Sequence, residues 1–249
     1  MARLKGIIKI HGTLDDLTFY KTQDGHLVKT KSSISKQRIM TDPNFQRTRE
    51  NGSEFGSAAS AGKLLRAAIR SLLLTTSDNR ITSRVTKVMT IVKNYDATSA
   101  RGFRNVGVAI SQAAAKAELK DFDFNIDSPL STTLFKPYAV NLTTGLITIP
   151  GLVPSTDISY PVGATHITLR GAWVKIDFVG NKTEIQLTNA TNLPITSASS
   201  SVTLTPTAVP SVVGTGLFLL TVEFFQLVNA VQYTLKNGSY NSLAIIQVV

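Results

Sequence analysis

The sequence predicts an α+β protein: a small N-terminal β-meander and a helical region, followed by a C-terminal antiparallel β-sandwich of the immunoglobulin-like or jelly-roll kind. Three observations carry this. Apolar residues recur at helical spacing between residues 64 and 92. From about Ile126 the texture turns to Thr, Ser, Val, Ile and Leu in short runs separated by turn pairs. Charge divides at the same place: residues 1–120 hold 21 Lys+Arg against 9 Asp+Glu, and residues 121–249 hold 5 against 7. Two domains are expected, 1–125 and 126–249, within a chain of 249 residues that is 43% hydrophobic.

Residues 4–10 read as a strand with Ile8 and Ile10 on one face. Residues 17–20 and 26–29 read as two more, joined across Gln23-Asp24-Gly25, because a tight hairpin needs positive φ at its turn. Residues 30–41 are polar and basic with little periodicity, and predict an extended arm that carries Ile34, Ile39 and Met40 onto a neighbour.

Asp42-Pro43 is a helix start, with Asp as N-cap and Pro in the first turn. The helix is expected to reach about Leu74. Gly52, Gly56 and Gly62, with Ala58, Ala59 and Ala61, make its middle thin. Each Gly costs about 1 kcal/mol in a helix interior, so the pattern implies either close packing or an interruption. Leu64, Leu65, Ala68, Ile69 and Leu72 form the apolar stripe, and Arg66 and Arg70 lie on another face.

Ser77-Asp78 caps a second helix, 79–95, with Ile81, Val85, Val88 and Val92 as its core stripe and Arg80, Arg84 and Lys87 as a basic ridge. A third helical stretch is clearest over 111–119, and Asp121-Phe-Asp-Phe-Asn125 hands over to β structure. Strands are expected at 138–142, 146–149, 165–169, 173–178, 183–187, 201–205, 217–226, 232–235 and 242–248. Turns are expected at Thr144-Gly145, Arg170-Gly171, Gly180-Asn181 and Asn237-Gly238.

Several chemistries find no pattern here. There is no Cys, which excludes disulfides and thiolate chemistry. His11, His26 and His166 stand apart and match no metal spacing. Gly56 to Leu64 has one residue too many for a phosphate loop and lacks its Ser or Thr. Asp121, Asp123 and Asp127 cluster without the spacing of a calcium loop, and read as a solvated turn or a weak cation site. Neither an enzyme nor a cofactor is expected. The N-terminus reads as no signal peptide, and the apolar stretch 216–231 is interrupted by Glu223, Gln226 and Asn229. The expectation is synthesis in the cytoplasm, compatible with release as an extracellular particle.

The stretches Gly12-Thr-Leu-Asp-Asp-Leu-Thr-Phe-Tyr20, Thr41-Asp-Pro-Asn-Phe-Gln-Arg-Thr-Arg-Glu-Asn51 and Gly62-Lys-Leu-Leu-Arg66 resemble a family of uncharacterised Bacteroidota proteins. The resemblance covers roughly the first half and implies a bacterial or phage-derived origin, without an activity.

Function is expected in self-assembly: a repeating subunit of a tube, filament, shell or phage-like particle, its partner another copy of itself in a helical or ring-like homo-oligomer. The candidate subunit interface is Ile34, Ile39, Met40, Phe45, Arg47, Arg49, Gly52, Gly56 and Gly62. Two alternatives stand beside it. One is nucleic-acid binding through Arg66, Arg70, Arg80, Arg84 and Lys87. The other is a surface- or carbohydrate-binding module using Tyr138, Tyr160, Trp173, Tyr233 and Tyr240.

Overall fold

The computed structural model describes residues 2–3, 10–31, 34–76 and 78–249. The chain divides into two compact units, Met1–Asn51 and Gly52–Val249. The expected strand over residues 4–10, save Ile10, lies outside the described residues, as does Ser77.

In the first unit β1 (Ala2–Arg3), β2 (Gly12–Leu14), β3 (Leu17–Thr22) and β4 (Gly25–Thr30) form an antiparallel sheet in the order β1-β4-β3-β2. The expected hairpin is present: Thr22 pairs with Gly25, whose φ of 111° suits glycine. The expected arm is corrected in part. Residues 36–41 coil into α1 (Lys36–Thr41), because Ser35 caps it through a hydrogen bond from the Arg38 amide at 3.1 Å. The Arg49 guanidinium then donates to the Ile39 and Asp42 carbonyls, satisfying the helix end. Asp42 accepts from the Asn44 amide at 2.9 Å and opens a 3-10 turn, Pro43–Phe45, that leads into α2 (Gln46–Ala68).

In the second unit α2 breaks at Ile69, and α3 (Arg70–Leu73) follows at once. α4 (Ile81–Lys93) buries Val85 and Val92 as its stripe requires, with Met89 between them. Short helices come next: α5 (Val106–Ala109), α6 (Ala113–Ala117), α7 (Leu130–Thr133) and later α8 (Pro154–Asp157). The strands are β5 (Ala139–Val140), β6 (Ile147–Leu152), β7 (His166–Asp177), β8 (Lys182–Pro194), β9 (Ser200–Leu204), β10 (Thr215–Val228), β11 (Val231–Thr234) and β12 (Ser242–Val248).

Two antiparallel sheets result. One runs β11-β10-β7-β8 with β12 also on β10, and the other runs β5-β6-β9. They join where Asn189 donates to the Thr205 carbonyl and Thr207 to that of Leu187, so the strands form a curled antiparallel sheet. Its inner face encloses one core, including Ile147, Ile149, Val202, Leu204, Ile167, Leu169, Trp173, Phe218, Leu220 and Ile246. The opposite face of β7, β10 and β12 meets the helices through Val174, Ile176, Leu217, Leu219, Leu243 and Ile245, packed with Leu65, Ile69, Val85, Met89 and Phe124. Residues of both parities along β7 and β10 are therefore buried, which is why 217–225 reads as a nearly unbroken apolar run.

Contacts divide the chain at 51/52, and residues on either side of 125/126, the boundary expected from the sequence, share a core. One expectation needs revision. Arg170-Gly171 is no turn but the middle of β7. A Cβ on Gly171 would lie 2.6 Å from Ile147 Cδ1, its amide donates to Thr188 Oγ1 at 2.8 Å, and β8 slips register beside it. That glycine serves close packing and a bulge rather than chain reversal.

Candidate functional site

Of the predicted basic ridge, Arg84 is engaged within the chain. Arg84 donates to Asp78 Oδ2 and to the Asp123 carbonyl, each at 2.6 Å, and lies 5.1 Å from the Phe122 ring centroid. It is a tie between α4 and the segment before the strands. Arg66 is half-buried, whereas Arg70, Arg80 and Lys87 are exposed.

The predicted interface residues also separate. Ile34 and Met40 are exposed, at 40% and 59%. Ile39 and Phe45 are half-buried, and Arg38 stacks over Phe45. Arg47 pairs with Glu50 at 2.8 Å and keeps an exposed side chain. Arg49 is used inside its own unit, as described. Gly62 is buried, its would-be Cβ 3.1 Å from Val85 Cγ1, so it serves the α2–α4 packing within the chain. Gly52 and Gly56 are exposed, and a Cβ on either would meet nothing within 4 Å. Their cost to the helix has no return inside the molecule.

Sequence reasoning missed a buried ion cluster. Glu54, on the second turn of α2 past residue 50, is 1% exposed and binds Lys93 Nζ. Arg104 donates to both of its carboxylate oxygens at 2.8 Å, and the Gly102 amide donates at 2.8 Å. The Arg104 guanidinium above all, aided by Lys93 and the Gly102 amide, outweighs burial and holds the Glu54 carboxyl down at about 2. Nearby, burial alone would raise Asp96. Hydrogen bonds from Ser99, Asn105 and Thr98 overcome it and hold that carboxyl far below its usual range. The one signal for this cluster was Lys93 beside Met89 and Val92 on the buried stripe. Two large apolar side chains flank the cluster in sequence and stay exposed: Phe55 at 57% and Phe103 at 76%.

The aspartate cluster is divided by the structure. Asp121 and Asp123 line a cleft of about 90 Å³ with Leu130, Ser131, Leu134, Tyr138, Ala244 and Ile246. Asp127 lines a different hollow, with Tyr160 and Tyr240 among its walls. Among the described residues no group of three or more His, Asp or Glu side chains is placed to hold a metal ion. Burial raises the Asp123 carboxyl, only partly opposed by the Leu130 amide and Arg84. Of the aromatics proposed for a sugar surface, Trp173 is buried and stacks on Phe218 with centroids 5.1 Å apart. Tyr233 is exposed at the β11 edge.

No described helix is long and apolar enough to cross a membrane. The chain matches no protein-family model, no curated protein and no solved structure.

Proposed function

We propose that the protein is a self-assembling structural subunit whose contacts with further copies cover apolar surface that one chain leaves open, in a tube, filament or phage-like particle. One observation carries this reading. Among the described residues of the first unit, Phe19 is the only buried hydrophobic side chain, whereas Ile10, Leu14, Leu17, Ile34 and Met40 are all exposed. A four-stranded sheet of such short strands needs a covered apolar face to be stable, because backbone ordering costs about 1–2 kcal/mol per residue. Contact with a second copy supplies that cover.

Exposed Phe55 and Phe103 and the open-faced Gly52 and Gly56 support the same reading. Small residues admit a neighbouring backbone, and rigidly held aromatics are the side chains that anchor protein interfaces. The facing sheets of the second unit serve in this reading as the sandwich body on which the contacts are mounted.

Sedimentation velocity and negative-stain microscopy of the purified chain test it. Association that rises with protein concentration, and particles of uniform width, are expected. A single monomeric species up to the highest attainable concentration would refute the reading.

A further inference from the structure

The cleft beside β12 is built for a particular guest. Segment 121–124 runs along the outer edge of β12: Asp121 donates to the Ile245 carbonyl at 2.7 Å, Ile245 to that of Phe122 at 3.1 Å, and Phe124 to that of Leu243 at 2.8 Å. These bonds end at Ile245, although β12 continues to Val248. Beyond them the surface opens into a shallow groove of about 280 Å³ lined by Lys120, Asp121, Tyr138, Val140, Ile246 and Gln247. β5, only two residues long, forms the other bank and is an edge strand of its sheet.

The groove adjoins the smaller cleft through Asp121, Tyr138 and Ile246, which line both. Of the lining, Leu130, Leu134 and Ile246 are buried, Asp123 and Tyr138 half-buried, and Asp121, Ser131 and Lys120 exposed. An alkyl chain bearing a cation can meet both the apolar and the acidic part of that lining. Burial, reinforced by the two nearby aspartates, pushes the Tyr138 phenol up, and burial raises Asp123 as well. A cation entering beside them would lower both.

The chain itself carries the complementary partner. Residues 1–51 hold 10 Lys+Arg against 5 Asp+Glu. Arg38, Arg47 and Arg49 are engaged within their unit: Arg38 with Asp42, Arg47 with Glu50, and Arg49 with two carbonyls. Lys21, Lys31 and Lys36 are exposed.

We infer that the Asp121–Asp123 cleft of one copy receives a lysine side chain from the N-terminal unit of a second copy. This rests on the self-assembly reading and gives that assembly a specific head-to-tail contact, since donor and acceptor are different surfaces.

The test is zero-length carbodiimide coupling of full-length chain, mixed one to one as unlabelled and 15N-labelled protein, followed by peptide mass spectrometry. Cross-links joining Asp121 or Asp123 to a lysine within residues 1–51 are expected in mixed-isotope form. In parallel, sedimentation should show the self-dissociation constant raised at least about tenfold by Asp121→Asn with Asp123→Asn, and similarly by Lys21→Gln with Lys31→Gln and Lys36→Gln. Asparagine tolerates the φ of 61° at position 121, and at position 123 still accepts from the Leu130 amide, so the fold is preserved. Ser131→Arg, at the exposed mouth of the cleft, should block the same contact without touching either carboxylate. If the wild type associates but its intermolecular links lie elsewhere and these variants associate normally, the lysine contact is wrong and self-assembly stands. If the wild type does not associate at all, both fall.

Discussion

At the scale of single residues, Glu54 ties separate parts of the helical layer together. Its carboxylate joins α2, the end of α4 and the 102–104 loop through Lys93, Gly102 and Arg104. Removing one member of a buried ion cluster leaves the others charged and unpaired, at a cost of about 3–5 kcal/mol. Glu54→Ala is expected to lose that much stability in denaturant unfolding. The same residue sets a pH dependence. Its folded value of about 2 lies below the ordinary 4.5, so its contribution is present above pH 4.5 and is lost as pH falls towards 2. The stability gap between wild type and Glu54→Gln should therefore narrow across that window; a gap that stays constant would contradict the assignment. Apart from Lys93 on the buried stripe, none of this was legible in the sequence, where Glu54 sits in a polar, glycine-rich stretch. A carboxylate on such a stretch ordinarily faces water, and only the approach of a loop 48 residues away makes it buried.

At the scale of elements, helices were readable where one face is apolar and strands where both faces are. The α4 stripe holds because Val85 and Val92 face the sheet, and β12 matches its expected limits closely because each residue is packed. Misreadings fell where glycine has two uses. Gly171 looked like a turn but makes room for Ile147, so Gly171→Ala is expected to destabilise by about 1–3 kcal/mol through overpacking. The three glycines of α2 looked equivalent and are not. Gly52→Ala and Gly56→Ala should each stabilise the isolated chain by about 0.5–1 kcal/mol, since the new Cβ meets open space. Gly62→Ala must displace Val85 and should yield no such gain. Thermal unfolding of the three variants separates these outcomes. Bulkier side chains at 52 and 56 should weaken self-association without lowering the melting temperature.

At the scale of the whole molecule, the chain contains one well-buried unit and one that is poorly buried. Residues 52–249 share two apolar cores on either side of β7, β10 and β12, whereas the described part of residues 1–51 buries only Phe19. A chain beginning at Gly52 is therefore expected to unfold cooperatively with the melting temperature of the parent, read by near-ultraviolet circular dichroism. A peptide of residues 1–51 should show neither a cooperative transition nor a fixed tertiary signal. Under the self-assembly reading the shortened chain should also stay monomeric at concentrations where the full chain associates. If it associates equally well, the N-terminal unit is not the contact.

The sequence by itself determined the mixed α+β class, the change of texture near residue 126, the helix start at Asp42-Pro43, the α4 stripe and the last strand. Each follows from local periodicity or from a capping or turn preference that acts within a few residues. Tertiary structure alone decided that the helices share a core with one face of β7, β10 and β12, that Arg49, Gly62 and Arg84 are used inside the chain, and that Asp121 and Asp123 share a cleft from which Asp127 is excluded. These depend on which surfaces meet across tens of residues, and burial and charge pairing at such separations leave no periodic trace in the order of residues.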